Sequence, residues 1–218
     1  MLGLSAGHAH QHPPAPRNIA TRSRPRRHAR SPPPMKIAFQ DRPVIFVDLE
    51  ASGLGRESYP IEVGWSVDDE QEPASFLVRP ATSWRFDDFT EAAQAIHNIP
   101  YERLISHGIA VETACRRLDA AWTGAVLVSD NPAADGGWLN RLYQAASRPY
   151  PWRLVDFDVL DAALAIQYGG GYEKLAAILN DADRHWPVPH RAGPDAQRLH
   201  KIARAIVDPR YREALTGH

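Results

Sequence analysis

The sequence predicts a single α/β domain in which helices pack on the faces of a sheet. Segments with strand patterns come first along the chain and then alternate with helical patterns. The length of 218 residues suits one well-buried domain plus a tail. A hydrophobic fraction of 44% and a charged fraction of 23% are near the averages for soluble globular proteins, which excludes collagen-like, coiled-coil and wholly disordered classes.

The predicted elements are five strands and six helices, without an internal repeat. The strands are VIFVDLE from Val44, PIEVGWSVDD from Pro60, ASFLVRP from Ala74, AVLVSD from Ala125 and WRLVDF from Trp152. The helices are 90–99, 111–122, 136–147, 159–168, 172–182 and 195–207. The first three strands have short polar connections, which predicts a hairpin-like meander.

The first 34 residues differ in composition from the rest. They are rich in Pro, Arg, His and Ala, with too little apolar material to offset the entropy of ordering. We predict a disordered leader over 1–34 and a folded domain over 35–218. Met35 directly precedes the predicted domain. An alternative is therefore that translation starts at Met35 and that residues 1–34 lie upstream of the start. Its acid-poor, Arg-containing character resembles a transit peptide, but its prolines oppose an amphipathic helix.

The charge distribution bears on the partner. Residues 1–34 hold six arginines and no acid, so subtracting them from the net charge of −1 leaves the domain at −7. Proteins that bind long duplex DNA usually carry a basic face. An enzyme that acts on a few nucleotides at a strand end, with metal ions supplying positive charge, does not need one.

Cysteine content and hydropathy bear on the compartment. Cys115 is the only cysteine, which excludes an intramolecular disulfide and a thiolate metal cluster and fits a reducing interior. No apolar run approaches the roughly 18 residues that span a bilayer, and the N-terminus lacks the apolar centre of a secretory signal. We expect a cytoplasmic protein without a membrane partner.

The end of the first strand carries two carboxylates. Asp48 and Glu50 are two residues apart, so both side chains point to the same side of the strand. Two such carboxylates repel each other unless a cation or bound protons neutralise their charge. Mg²⁺ and Mn²⁺ prefer oxygen ligands of this kind. The alternative is a solvated strand end. The following turn contains Gly53, which permits close backbone approach or a positive φ.

Two later segments offer further candidates. Asn131 and Asp135 follow the fourth strand at a helix start, where a carboxylate also satisfies the ordinary charge preference of a helix N-terminus. His190 lies in a loop bounded by Pro and Gly, five residues before Asp195 in the last helix. This spacing allows a general base beside a metal-bound carboxylate. An exposed loop histidine and a helix-capping acid are the alternatives.

Taken in order, VIFVDLEASGL, NPAADGGWL and HRAGPDAQRL resemble the three exonuclease motifs of the DEDDh superfamily, which includes the polymerase III epsilon-like proofreading exonucleases and the ribonuclease T group. The resemblance covers roughly residues 43–207, and PIEVGW and AIHNIPYERL are also similar to family segments. Two departures are Ala51-Ser52 in place of a Thr-Thr pair, and 192–195 in place of Ala-Leu-Asp-Asp. Neither removes a ligand, although Pro194 could stiffen the loop that carries His190.

The resemblance implies a ribonuclease H-like fold, with a mixed five-stranded sheet, helices on both faces and a second strand antiparallel to its neighbours. It implies two Mg²⁺ or Mn²⁺ ions. Asp48 would bridge both ions, Glu50 and Asp195 would complete one site, and Asp135 would hold the other. His190 would be the general base. The implied activity is 3′→5′ exonucleolytic release of nucleoside 5′-monophosphates.

The resemblance also indicates substrate contacts. Ser52 and Gly53 are expected to contact the terminal nucleotide through the backbone, and Leu54 to pack against its base. His97 is similar to a family histidine that lines the pocket, although a lone histidine on a helix is more often structural. The full predicted substrate-binding set is Ala51, Ser52, Gly53, Leu54, His97 and Asn131. Four tryptophans could stack on bases or belong to the core: Trp84, Trp122, Trp138 and Trp152.

Several alternatives remain open at this stage. The expected partner is a single-stranded DNA or RNA 3′ end, and the motifs do not separate deoxyribonuclease from exoribonuclease activity. A catalytically silent module that binds nucleic acid, or that is tethered to a polymerase or repair complex, is a second possibility. A third is an unrelated α/β domain with scattered carboxylates, which would not bring the four acids and His190 together.

Overall fold

The computed structural model describes residues 37–39, 42–168 and 171–216, so the predicted leader over 1–34 lies outside the described residues. The strands are β1 (Ala38–Phe39), β2 (Arg42–Ala51), β3 (Pro60–Ser66), β4 (Ala74–Leu77), β5 (Val126–Ser129) and β6 (Leu154–Asp156). The helices are α1 (Glu91–His97), α2 (Tyr101–His107), α3 (Val111–Trp122), α4 (Pro132–Ala145), α5 (Phe157–Gln167), α6 (Gly171–His185), α7 (Ala192–Val207) and α8 (Pro209–Thr216).

The main path of the sheet has five strands in the order β4-β3-β2-β5-β6. β3 is antiparallel to β2 and β4, whereas β5 is parallel to β2 and β6 is parallel to β5. The predicted mixed five-stranded sheet, with its antiparallel second strand, is therefore confirmed. The sequence did not predict β1, a two-residue strand that pairs with β2 outside this path.

Both faces of the sheet are covered, because β2 alternates its apolar side chains between two cores. Val44 and Phe46 pack in the core formed with α5, α6 and α7. Ile45, Val47 and Leu49 pack in the core formed with α3 and α4. The predicted helices on both faces are confirmed. Asp48 and Glu50 continue the Val44 and Phe46 side of the strand beyond the core.

The topology brings the chemically active segments to one edge. Because β2 and β5 are parallel, their carboxyl ends lie side by side, and α4 begins directly after β5. The start of α7 lies against β3 at Gly64, where a Cβ atom would be 2.2 Å from the backbone nitrogen of Gly193. Only glycine permits this approach. The starts of α4 and α7 therefore both lie near Asp48 on β2.

Some helix boundaries differ from prediction. α4 begins at Pro132 rather than 136, since proline suits the first turn of a helix, and α7 begins at Ala192 rather than 195. α1 ends at His97 because Asn98 adopts a left-handed conformation with φ 55°. α2 and α8 were not predicted. Among the described helices, no stretch has both the length and the apolar character that crossing a bilayer requires.

Candidate active site

An acidic cavity of about 450 Å³ opens beyond the carboxyl ends of β2 and β5. Its ionisable lining consists of Asp48, Glu50, Asp130, Asp135, His190, Asp195 and Arg198. The structure thus brings together the four acids and the histidine that the sequence selected, over 147 residues of chain. This convergence contradicts the alternative of an α/β domain whose carboxylates are scattered over the surface.

The carboxylates form two triads. Ligand oxygens of Asp48, Glu50 and Asp195 all lie within 4.8 Å of one another, as do those of Asp48, Asp130 and Asp135. Asp48 belongs to both groups. A shared carboxylate between two sets of oxygen ligands is an arrangement that can bridge two divalent ions.

The Asp135 side chain is fixed by the loop between β5 and α4. Asp135 is 2% exposed, and the Ser129 hydroxyl donates a short hydrogen bond to its Oδ2 atom. The Asn131 backbone N–H donates to the Ser129 hydroxyl (3.0 Å), and Asn131 Oδ1 accepts from the Ala134 N–H (3.4 Å) at the start of α4. Asn131 therefore caps the helix as well as lining the cavity.

The third segment contributes Asp195 and His190 from the start of α7. Asp195 Oδ2 accepts a hydrogen bond from the Arg191 N–H at 2.9 Å. The Oδ1 atom is buried and has no hydrogen-bond partner within 37–39, 42–168 and 171–216, so the protein alone leaves this carboxylate incompletely paired. His190 precedes the helix with φ 53°, a left-handed conformation that is uncommon for residues other than glycine.

The electrostatics of the cavity favour a cation. Desolvation and then the neighbouring Asp135 raise the pKa of Asp48 well above its ordinary value. Desolvation, followed by repulsion from Asp195, raises the pKa of Glu50 to about 8. Desolvation raises the pKa of Asp135 to about 7, and it also raises the pKa of Asp130 and Asp195. Divalent ions would displace these protons and relieve the repulsion.

The donor set fits hard metal ions. Every candidate ligand atom in the two triads is a carboxylate oxygen, the type that Mg²⁺ and Mn²⁺ prefer. The buried, unpartnered Oδ1 atom of Asp195 independently indicates a missing ligand, since buried polar atoms normally have partners. The residues present therefore fit a pair of divalent ions.

An apolar cleft of about 300 Å³ adjoins the acidic cavity and shares Leu49, Glu50 and Trp138 with it. Ala51, Gly53 and Leu54 of the predicted substrate set line this cleft, together with His97. Leu54 stands at its mouth with 91% of its surface exposed. A Cβ atom at Gly53 would lie 3.2 Å from Thr90 Cγ2, so close approach rather than a positive φ accounts for this glycine.

His97 presents a defined hydrogen-bonding atom beside the cleft. The ring is 2% exposed, and its Nδ1 atom accepts a hydrogen bond from the Ile99 N–H at 3.0 Å. Desolvation lowers the pKa of His97, which favours the neutral ring with its proton on Nε2. This buried Nε2 has no partner in the described part of the chain. His97 therefore lines the cleft and carries a buried N–H group without a partner among the described residues.

Ser52 was expected to contact the terminal nucleotide through its backbone, but its polar groups are bonded within the protein. It is fully buried, and its hydroxyl accepts from the Tyr59 N–H at 3.0 Å. Its own N–H donates to the Tyr59 carbonyl, and its carbonyl accepts from the Thr90 N–H. With both backbone groups bonded inside the protein, Ser52 holds the turn together and has no backbone donor left for a nucleotide.

The tryptophans divide between core and cavity. Trp138 lines both the acidic cavity and the apolar cleft, and its Nε1–H donates to the Ser58 hydroxyl at 2.9 Å. The other three pack against aromatic neighbours: Trp84 stacks on Tyr59 at 4.8 Å, and Trp152 contacts Trp122 edge to face at 5.8 Å. Trp138 is thus the one of the four that reaches both cavities.

Sequence reasoning missed some residues of the site. Asp130 carried a usable signal, because it follows β5 directly, at the same kind of strand end as Asp48. Ser129, Glu62 and Arg191 carried no comparable signal. Their importance comes from contacts with residues elsewhere in the chain.

Comparison with protein-family models and with curated proteins gives no match. Among solved structures, a zinc-bound complex of E. coli exonuclease I with single-stranded DNA superposes with a TM-score of 0.57 at 19% identity, over 80% of this chain and 43% of that one. The complex of E. coli exonuclease I with a dT13 oligonucleotide gives 0.55 at 16% identity, over 80% and 42%. This chain therefore spans less than half of those proteins. The likeness confirms the α/β fold.

Proposed function

We propose that this chain is a metal-dependent 3′→5′ exonuclease of the DEDDh type, which releases nucleoside 5′-monophosphates from single-stranded nucleic acid ends. The observation that carries this proposal is the pair of carboxylate triads that share Asp48, with His190 on the wall of the same cavity. The fold that it shares with an exonuclease crystallised with single-stranded DNA supports the substrate class.

The carboxylates would hold the metal ions. Asp48 would contact both, Glu50 and Asp195 would complete one site, and Asp135 with Asp130 would complete the other. Two divalent ions held by these carboxylates would supply Lewis-acid activation of a water and charge stabilisation at a leaving 3′ oxygen. Asp135 is held for this role by the Ser129 hydroxyl, and Asp195 by the Arg191 N–H.

His190 would accept the proton of the attacking water. It lines the same cavity as Asp195, five residues away, and a neutral imidazole nitrogen can accept a proton. We assign it proton transfer rather than metal ligation, because neither carboxylate triad includes it.

The apolar cleft would receive the terminal nucleotide. Leu54 would pack against its base, and His97, which lines the same cleft, would contact the terminal nucleotide. Burying a terminal base in this cleft requires that it be unpaired and unstacked, which costs a duplex end a few kcal/mol. The net charge of −7 over residues 35–218 likewise favours short single strands over long duplexes.

The test is a panel of 5′-labelled single-stranded DNA, duplex DNA and single-stranded RNA, incubated with Mg²⁺ or with excess chelator. We expect stepwise shortening of single strands, slower attack on blunt duplexes, and 5′-mononucleotides identified by mass spectrometry. Asp48→Asn is the matched inactive control. Full activity in chelator, or in Asp48→Asn, would contradict the metal mechanism, and the ratio of DNA to RNA rates decides the sugar preference.

A further inference from the structure

A buried acid outside the two triads stands next to the acidic cavity. Glu62 is 2% exposed and lies on β3, directly opposite Glu50 in the strand register. Its sequence neighbours Ile61 and Val63 are both fully buried and apolar. An ionised carboxylate in such a place is unfavourable unless charged or polar partners compensate it. The identity of those partners indicates what Glu62 does.

The partners are the two residues that directly follow His190. Arg191 donates from Nε to Glu62 Oε2 at 2.8 Å and from Nη2 to Oε1 at 2.7 Å, which is a bidentate ion pair. The Ala192 N–H also donates to Oε2, at 3.2 Å. One carboxylate on the sheet therefore holds both the side chain and the backbone at the start of α7.

Arg191 in turn connects this anchor to the metal-ligand candidate on α7. Its backbone N–H donates to Asp195 Oδ2 at 2.9 Å, and its carbonyl accepts from the Asp195 N–H at 2.9 Å. His190 immediately precedes it in the left-handed conformation. Arg191 therefore joins Glu62 on the sheet to both His190 and Asp195.

The surrounding backbone leaves little room for independent movement. At Gly64, two residues beyond Glu62 on β3, an added Cβ atom would lie 2.2 Å from the backbone of Ala192 and Gly193. The first turn of α7 is thus packed directly on β3. If Arg191 moves relative to Glu62, its chain neighbours His190 and Ala192 must move with it.

We infer that the Glu62–Arg191 pair is a positioning element, which sets the places of His190 and Asp195 in the acidic cavity; this inference rests on the proposed nuclease function. Arg191 acts through the residues that it holds and need not contact substrate. Lysine at this position keeps the charge but cannot form the bidentate contact. A misplacement of about 1 Å can cost roughly 10²-fold in rate, so loss of the pair should appear in kcat.

The experiment compares Arg191→Met, Arg191→Lys and the nearly isosteric Glu62→Gln with the wild type. We expect Arg191→Met to lower kcat at saturating Mn²⁺ by roughly 10–10²-fold, with KM changed less than threefold. Glu62→Gln and Arg191→Lys should retain intermediate kcat values, because each keeps part of the contact. Calorimetry should show weaker Mn²⁺ binding in Arg191→Met, by threefold or more, because Asp195 loses its alignment.

Asp69→Asn is the matched control. Asp69 forms another buried ion pair with α7, in which Nη1 of Arg204 donates to both carboxylate oxygens; Arg204 lies 13 residues, or about 20 Å, along the helix from Arg191. It should lower the melting temperature but leave kcat and Mn²⁺ binding near wild type. An unchanged kcat or an unchanged Mn²⁺ affinity in Arg191→Met, or an equal kcat loss in Asp69→Asn, would overturn the inference. An inactive wild type would instead refute the nuclease proposal, while the calorimetric comparison would still test the positioning.

Discussion

Replacing Asp48 by asparagine should stabilise the metal-free protein while abolishing its metal-dependent chemistry. The Asp48 carboxylate is desolvated and faces four other acids, all of which raise its pKa: Asp135, Asp195, Asp130 and Glu50. Asparagine has nearly the same shape but no charge. Without metal, the substitution removes repulsion. With metal, it removes the one ligand common to both triads.

The pH dependence of this effect follows from the raised pKa values. A carboxyl whose pKa is raised by folding binds more protons in the folded than in the unfolded state, so its ionisation lowers stability as pH rises from its unfolded to its folded pKa. For Glu50 that window runs from 4.5 to about 8. The pKa of Asp48 is likewise raised well above 3.8, so the stability advantage of Asp48→Asn should be smallest at acidic pH and should grow as the pH rises.

The gain in unfolding free energy from Asp48→Asn can be bounded. One unit of pKa difference corresponds to about 1.4 kcal/mol, so relieving even one unit of the repulsion between Asp48 and its four acidic neighbours is worth about that much at high pH. Allowing for relaxation of the cavity and shared protons, we expect Asp48→Asn to gain about 1–2 kcal/mol at pH 8.5. At about 2–4 °C per kcal/mol for a domain of this size, the melting temperature should rise by about 2–8 °C.

The assay is thermal unfolding followed by circular dichroism at pH 5.5 and 8.5, in chelator and in Mg²⁺. The wild type should gain stability with Mg²⁺ at pH 8.5, whereas Asp48→Asn should gain little. Asp119→Asn is a control in which the melting temperature should fall. Asp119 accepts hydrogen bonds from Tyr143 and Arg148, and the substitution weakens these contacts. A lower melting temperature for Asp48→Asn than for wild type, in chelator at pH 8.5, would refute the electrostatic reasoning.

Three further predictions concern other parts of the chain. His190→Ala should lower kcat by about 10²–10⁴-fold with Mn²⁺ affinity nearly unchanged; calorimetry showing a loss as large as that of Asp195→Ala would identify His190 as a ligand. Asp130→Asn should weaken one of two Mn²⁺ binding events severalfold, since the second triad keeps Asp48 and Asp135; two unaltered isotherms would exclude Asp130 from the metal centre. Deleting residues 1–34 should leave melting temperature and activity unchanged, because that stretch has no periodic apolar face; a large loss of either would show that the leader docks on the domain.

Strand patterns in the sequence were sufficient for the five strands of the main path, and the family resemblance implied their arrangement and the convergence of the main acids. Strand alternation puts Asp48 and Glu50 on one side, and the parallel neighbour β5 brings the Asp135 segment to the same edge. The first rule depends only on neighbouring residues within one strand, and the second depends on the order of the strands in the sheet. The same reasoning could have included Asp130, which directly follows β5.

The contacts that position these groups could not be read from local patterns. The Glu62–Arg191 pair joins residues 129 positions apart, and it depends on strand register and on the approach of α7 to Gly64. Ser52 is a second example, because its turn back to Tyr59 uses up its backbone groups. Helices α2 and α8, of seven and eight residues, were also missed.

The most direct measurement of the proposed activity follows the polarity of degradation on matched single strands. The substrates are one oligonucleotide with a 3′-hydroxyl, the same sequence with a 3′-phosphate, and its circular form, each with Mg²⁺. Wild-type protein should release 5′-mononucleotides in order from the free 3′ end, attack the 3′-phosphate strand slowly and leave the circle intact, while Asp48→Asn leaves all three intact. Cleavage of the circle, or release of label from the 5′ end first, would contradict a 3′→5′ exonuclease.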